Sequence, residues 1–457
     1  MHIVLWLLCS LSLAGRTLCS RHEFDRAAHA LGLFAAVCFA VGSLLWLFGD
    51  TYSHHFADKD RELRISYWGS YREHQMWGEI LDGFSQTYPD IPVRGEYITT
   101  RYEEKIQQLL LADEAPDVMV FQDEPMPRFA SSGKFEPLDG YLHRPGLSIE
   151  LDRDYWDTAV TSFQVDGTTF GVPIWGGNCL VFYNREAFRL AGAEAPEDDW
   201  TVEDFLRVCQ LLTGDDDDDG RVDRYGVLLP GWVYWLPFHY AFGATHLDPS
   251  HQRWTLWGER AEASYGFFQD LRHRHHVAPR RDELTESGSV AFMTGRVGMF
   301  ISGPWAMPFL NEAGVDYDVA HVPSGPGGRG TRVTWDCLAM FSGSKKKDQA
   351  WKLIHFVASL PVQRIIARYQ RSVPALKQGQ EAFVSGNPKV HAERFIEALA
   401  YARFQPISLH WALMSREITS QVDMMLDGNQ SVQETLTSLV DNEHLRQVFI
   451  MPDGGRR

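Results

Sequence analysis

With 457 residues, the chain exceeds what one hydrophobic core comfortably holds, so two domains or two lobes are expected. Hydrophobic residues at 44% and charged residues at 23% are ordinary globular composition, and no long segment is polar enough to stay disordered. The formal charge of -17, from 60 acidic and 43 basic residues with no basic stripe in the body, argues against nucleic acid and an anionic membrane surface as partners.

After Arg16, Arg21 and Arg26, the run from Ala27 to Phe48 is apolar apart from His29, and Asp50 closes it. At about 1.5 Å per residue it is long enough to cross a bilayer core of roughly 30 Å. Arginine before the span and acid after it orient the body to the extracytoplasmic side. Residues 1–58 are therefore expected to be a leader that anchors the protein in the cell membrane, with a cleaved signal as the alternative. Cys179, Cys209 and Cys337 in the body have no spacing that indicates a disulfide scaffold or a zinc site, although a staple between Cys179 and Cys337 is conceivable.

The body opens with a strand near Leu63 to Trp68. A helix follows, in which Met76, Trp77, Ile80, Leu81 and Phe84 fall on one face. "IPVRGEYI" reads as a strand, "TRYEEKIQQLLLADE" as an amphipathic helix and "PDVMVFQDE" as a buried strand ending in acid. This alternation predicts a parallel sheet covered on both faces, with ligands bound beyond the carboxyl ends of its strands. "TTFGVPIWGGNCLVFYN" has two strand-like halves about a Gly-Gly kink and suits a crossover between lobes. "TVEDFLRVCQLLT" and "RAEASYGFFQDLRHRH" read as helices, "TRVTWDCLAMFSGS" as a further crossover, and the remainder as mostly helical.

Aromatic residues make up 13% of the chain, and several of the 15 tryptophans stand beside glycine, proline or a polar residue at strand ends instead of inside apolar runs. A tryptophan so placed offers a flat apolar face with one polar edge, which matches the C–H faces of sugar rings, and nearby carboxylates accept hydrogen bonds from hydroxyls. Core packing is the competing role for each. The same carboxylates, Asp123 or Glu124 with Asp336, would also serve glycoside hydrolysis. "TGDDDDDGRVDRYG" places Asp215, Asp217, Asp219, Gly220 and Asp223 at positions 1, 3, 5, 6 and 9 of a calcium loop, but Gly226 stands where the bidentate glutamate belongs. Structural calcium and a solvated acidic loop both remain open.

"AFMTGRVGMFISGPWAM" resembles the signature segment of the family 1 extracellular solute-binding proteins, the maltose-binding-protein-like receptors of ABC importers. "PDVMVFQDEPMPRFASSGKFEPLDGYL", "GVPIWGGNCLVFYNREAFRLAG", "DWTVEDFLRVCQLLT" and "AWKLIHFVASLPVQ" are similar to segments of that family in the same order. The resemblance implies an α/β two-lobed periplasmic-binding-protein fold with hinge crossovers and a ligand cleft between the lobes. Residues 59–173 and 291–334 are expected in the first lobe, 174–290 and 335–450 in the second, and 451–457 in a tail. The strand "GMFI" is expected to return to the first lobe, with Trp305 opening a helix at the cleft.

By the same resemblance the cleft is lined by Trp68 and Ser70 after the first strand, Gln122, Asp123 and Glu124 after the third, and Trp175 and Asn178 at the first crossover. Trp232, Trp235, Gly303, Trp305, Trp335 and Asp336 complete the set. The implied protein binds a carbohydrate by lobe closure, works as a monomer with membrane permease subunits of an ABC importer, and performs no catalysis. Apart from possible structural calcium no cofactor is expected. A glycoside-processing enzyme, a tethered sugar sensor and a glycerol-phosphate or polyol binder are the alternatives.

Overall fold

The computed structural model describes residues 61–229, 231–284, 286–405 and 408–452. The expected span from Ala27 to Phe48 lies outside the described residues, and no helix within them is long and apolar enough to cross a membrane. Thirteen strands are described: β1 (Leu63–Tyr67), β2 (Val93–Tyr97), β3 (Val118–Gln122), β4 (Gln164–Val165), β5 (Thr168–Thr169), β6 (Gly171–Asn178), β7 (Leu180–Asn184), β8 (Tyr225–Leu228), β9 (Val297–Ser302), β10 (Tyr317–Ala320), β11 (Thr331–Met340), β12 (Val373–Pro374) and β13 (Ala402–Phe404). The larger sheet runs β12-β6-β11-β3-β1-β2 with β13 beside β11, the smaller runs β10-β7-β9-β8, and β4 with β5 makes a short ribbon.

β1 is parallel to both β2 and β3, as strand–helix alternation predicts. The intervening helix Tyr71–Thr87 buries the expected Met76, Trp77, Ile80, Leu81 and Phe84 against the sheet. The larger sheet is nevertheless mixed, because β11 is antiparallel to β3 and to β6. β11 enters from the other lobe, so it starts at the edge where β1 and β3 end and must run the opposite way.

β6 passes into β7 through the single residue Cys179, which carries the chain from the larger sheet to the smaller. The chain returns between β10 and β11 and crosses again after β12. The expected lobe boundaries need two corrections. Residues 291–334 do not return as a block to the first lobe, since β9 and β10 both pair with β7 in the smaller sheet. β9 suits that position because Met299 and Ile301 enter one core while Phe300 enters another on the opposite face. Nor do residues 335–450 form a second-lobe block: β11 and the helices Lys347–Ala358 and Leu360–Arg368 pack in the first core, while Trp411–Leu426 and Val432–Val440 join the second.

The long helical pattern after Lys347 is broken at Ser359, whose ψ of 148 is extended. Pro361 supplies no N–H, and its ring would meet the carbonyl of Val357 in a continuous helix. The three body cysteines are buried and free. The Cys179 amide donates to the Arg332 carbonyl at 3.2 Å, whereas Cys337 lies opposite Pro173. Six strand residues separate those positions, about 20 Å, so the conceivable staple is excluded.

Candidate functional site

β1, β3 and β6 end at one edge of the larger sheet, where β11 and β12 begin. Arg371, just before β12, pairs with Glu73 in the first turn of the helix Tyr71–Thr87 and stands 3.6 Å from Asp336 on β11. The Trp175 indole N–H on β6 donates to the same Asp336 carboxylate at 2.6 Å, and the Arg371 guanidinium carbon lies 5.6 Å from the Trp175 ring centre. Burial lowers Arg371 to about 10, which leaves it charged at neutral pH. Burial pushes Asp336 well above the usual carboxylate range; the Trp175 hydrogen bond opposes this, while Asp123 and Glu124 add to it.

Asp123 follows β3 and is fully buried. Its carboxylate accepts from the Thr334 hydroxyl at 2.9 Å and the Trp335 amide at 3.1 Å, tying the end of β3 to β11. Burial, reinforced by Glu124, raises Asp123 to about 7 against those hydrogen bonds and the charge of Arg332. Its neighbour Glu124 is only half-buried and faces a second group. It accepts a hydrogen bond from the Gln405 side-chain amide and lies 3.6 Å from Arg332.

The facing wall belongs to the smaller sheet. After β9 the chain turns through Gly303 and Pro304, and a Cβ on Gly303 would overlap the Trp305 ring. Gly303 has a φ of -102, so the requirement is close approach and not a left-handed backbone. A Cβ on Gly177 would lie 2.5 Å from Pro304 Cγ, so this turn packs directly on the hinge strand β6. Trp305 remains half-exposed beside Tyr234, whose ring centre is 5.5 Å from the Arg332 guanidinium carbon. Glu124, Arg332 and Gln405 thus meet Tyr234 and Trp305 where the two lobes face each other.

Residues 79–392 match the model of the bacterial extracellular solute-binding protein family. The chain belongs to this family. A protein of Brucella abortus (strain 2308) described as a binding protein is 25% identical over 365 residues, covering 75% of this chain and 82% of the relative. An ABC substrate-binding protein from Listeria monocytogenes, solved with cycloalternan, has a TM-score of 0.78 at 21% identity, over 85% of this chain and 99% of that one. The GacH receptor of Streptomyces glaucescens, solved unliganded and with acarbose, has a TM-score of 0.72 at 23% identity, over 84% and 98%. The two-lobed α/β fold expected from the sequence is the fold of these proteins.

Within the binding protein, the residues expected at the cleft divide by burial. Trp68, Ser70, Gln122, Glu124 and Trp305 are half-buried or exposed at the facing edges, and Trp68 packs a tilted ring 4.7 Å from Tyr102. Trp175 and Asp336 are buried and lie against Arg371. Four others are drawn into the interior. Trp335 is 0% exposed with its N–H 3.2 Å from the Thr158 hydroxyl, and Trp235, 1% exposed, stacks 4.2 Å from Phe268. Asn178 donates to the Phe395 carbonyl at 2.8 Å, and Asp123 is the β3–β11 tie. Trp232 is nearly buried beside Trp411, with its N–H 3.3 Å from the Ser415 hydroxyl. Gly303 supports Trp305 from behind.

Sequence reasoning missed Glu73, Tyr234, Arg332, Arg371 and Gln405. "RSVP" and "FQP" carry no motif. An arginine two residues before a short strand was the one available hint, and only the pairing of β12 with β6 gives it meaning.

In the acidic loop, carboxylate oxygens of Asp215, Asp217 and Asp223 lie within 4.8 Å of one another. Asp219 is not with them: its carboxylate accepts from the Arg221 amide, and its own amide donates to Asp215 and Asp217. Gly226, at the place of the missing glutamate, lies in β8 with its Cα against Cys209, where a side chain would overlap the Cys209 backbone.

Proposed function

We propose that this binding protein receives a carbohydrate in the cleft between its lobes and presents it to the membrane permease of an ABC importer. The observation that carries the proposal is the meeting of Trp305 and Tyr234 from one lobe with Glu124, Arg332 and Gln405 from the other. Aromatic faces beside paired donors and acceptors suit a sugar, which has apolar C–H faces and a polar rim. Contacts available from both lobes only in the closed state couple affinity to closure. The solved neighbours bound to cycloalternan and acarbose support the sugar class. Asp123 and Asp336 are engaged by Thr334, Trp335, Trp175 and Arg371, which favours binding over the hydrolytic use of the same carboxylates.

The test is tryptophan fluorescence and thermal melting across mono- and oligosaccharides, polyols and glycerol phosphates, with product analysis of every hit. A sugar that shifts both signals and is recovered unchanged is expected, since binding to the native state raises stability. Trp305→Ala should weaken it at least tenfold, about 1.4 kcal/mol. Consumption of the sugar would instead establish an enzyme.

The apolar run from Ala27 to Phe48 supports a membrane anchor with the body on the extracytoplasmic side, and we propose that the body works as a monomer. Asp215, Asp217 and Asp223 are proposed as ligands of a structural calcium ion, with the missing bidentate ligand placing affinity in the weak extracellular range. Calcium at about ten times its Kd should then add about 1.4 kcal/mol of stability, seen as a higher melting temperature. Asp217→Ala should abolish the increment; an equal shift with magnesium or in the variant would argue for a solvated loop.

A further inference from the structure

We infer that the cavity between the first turn of the helix Tyr71–Thr87 and the end of the second-lobe helix Met307–Glu312 is an anion subsite, in which Arg72 receives a carboxylate or phosphate group of the ligand. This rests on the carbohydrate reading above and narrows it to sugars that carry an acid.

The cavity measures about 570 Å³ and is lined by Ser70, Arg72, Gln75 and Arg368 from the first lobe and by Asn311 and Glu312 from the second. The neighbouring guanidiniums each have a resident carboxylate: Arg368 is paired with Glu79, Arg371 with Glu73, and Arg332 stands 3.6 Å from Glu124. Arg72 has none. Among the described residues it makes no ion pair and no hydrogen bond, and its Nε is buried without an acceptor. Its guanidinium carbon lies 5.9 Å from the Tyr369 ring centre, a contact that holds the group at the cavity wall and leaves its charge unmatched.

A guanidinium with a buried, unused donor is stabilised by an acceptor that fits its planar fork, and the oxygens of a carboxylate or phosphate have that geometry. The helix that carries Arg72 is 17 residues long, and the positive end of its dipole lies at the cavity. Glu312 is the one carboxylate on the cavity wall; it is exposed, belongs to the opposite lobe and does not pair with Arg72. The Gln75 side chain beside Arg72 offers both a donor and an acceptor to a hydroxyl of the same ligand. Burial raises Asp123 to about 7 and Asp336 well above the usual carboxylate range, so these two acids oppose an incoming anion less than their number implies.

The experiment titrates the full chain at pH 7 and constant ionic strength with inorganic phosphate, then with glucose, glucuronate and glucose 6-phosphate, reading affinity by calorimetry and stability by thermal melting. Phosphate is expected to bind saturably to wild type and at least tenfold more weakly to Arg72→Gln, with Arg72→Lys recovering part of the loss. Glu312→Gln, which removes the carboxylate from the cavity wall, should tighten phosphate at least threefold. The acid sugars are expected to bind wild type at least tenfold more tightly than glucose and to lose that advantage in Arg72→Gln; the larger gain, for glucuronate or for glucose 6-phosphate, identifies the acid. Phosphate that does not bind, or that binds Arg72→Gln as tightly as wild type, overturns the inference. So does glucose that binds as tightly as both acids. An equal weakening of glucose by Arg72→Gln and Glu312→Gln also overturns it, since the two side chains would then pair with each other across the lobes. If phosphate binds through Arg72 and no sugar binds, the carbohydrate reading falls while the anion subsite stands.

Discussion

Replacing Arg371 by alanine is expected to lower the unfolding free energy of the body by about 3–5 kcal/mol, the range for removing one partner of a buried ion pair. Among the described residues Arg371 is the one cation in contact with both Glu73 and Asp336, and its loss would strand the Glu73 carboxylate. Asp336 would keep the hydrogen bond from the Trp175 N–H. Arg371→Lys should recover part of the loss, since a lysine keeps the charge but not the planar fork that reaches two partners. Urea unfolding of the three proteins measures this. An alanine variant within about 1 kcal/mol of wild type would mean that water, and not Arg371, satisfies these carboxylates in solution.

The second large effect is a dependence on pH at Asp123. Its folded value of about 7 lies above its ordinary value of 3.8, so the protonated form is favoured by folding. The contribution is therefore full below about pH 4 and is lost as pH rises towards 7; stability from this group falls across that window. The difference corresponds to something on the order of 4 kcal/mol. Asp336, raised by the same burial, acts in the same direction.

Asp123→Asn, which cannot ionise, should flatten the slope between pH 4 and pH 7 while losing one of the hydrogen bonds to Thr334 or Trp335. Unfolding midpoints for both proteins at pH 4, 5, 6 and 7 decide it. Equal slopes would show that the hydrogen bonds from Thr334 and Trp335 hold Asp123 ionised in spite of its burial.

Both effects concern residues whose roles were legible to very different degrees. Asp123 was placed at a strand end by the apolar run before it, and its position there is correct. Its function as a tie depends on Thr334 and Trp335, more than 200 positions away, which no local pattern connects to it. Arg371 offered only its place just before a short strand. It meets Glu73 and Asp336 only because β12 pairs with β6 and the helix Tyr71–Thr87 starts beside it.

What the sequence determined by itself is what short-range physics controls. The helical spacing of Met76 through Phe84, the turn at Gly303-Pro304 and the segments shared with the solute-binding family each depend on neighbours in the chain. Only the tertiary structure decided which lobe β9 joins, because its two apolar faces suit the centre of either sheet until β7 and β8 flank it. The same holds for the tryptophans. Trp305 and Trp335 have similar local surroundings in sequence, one beside a proline and the other beside an aspartate. One is left half-exposed at the cleft and the other is sealed in the first core, because solvent access is set by what packs from elsewhere in the chain.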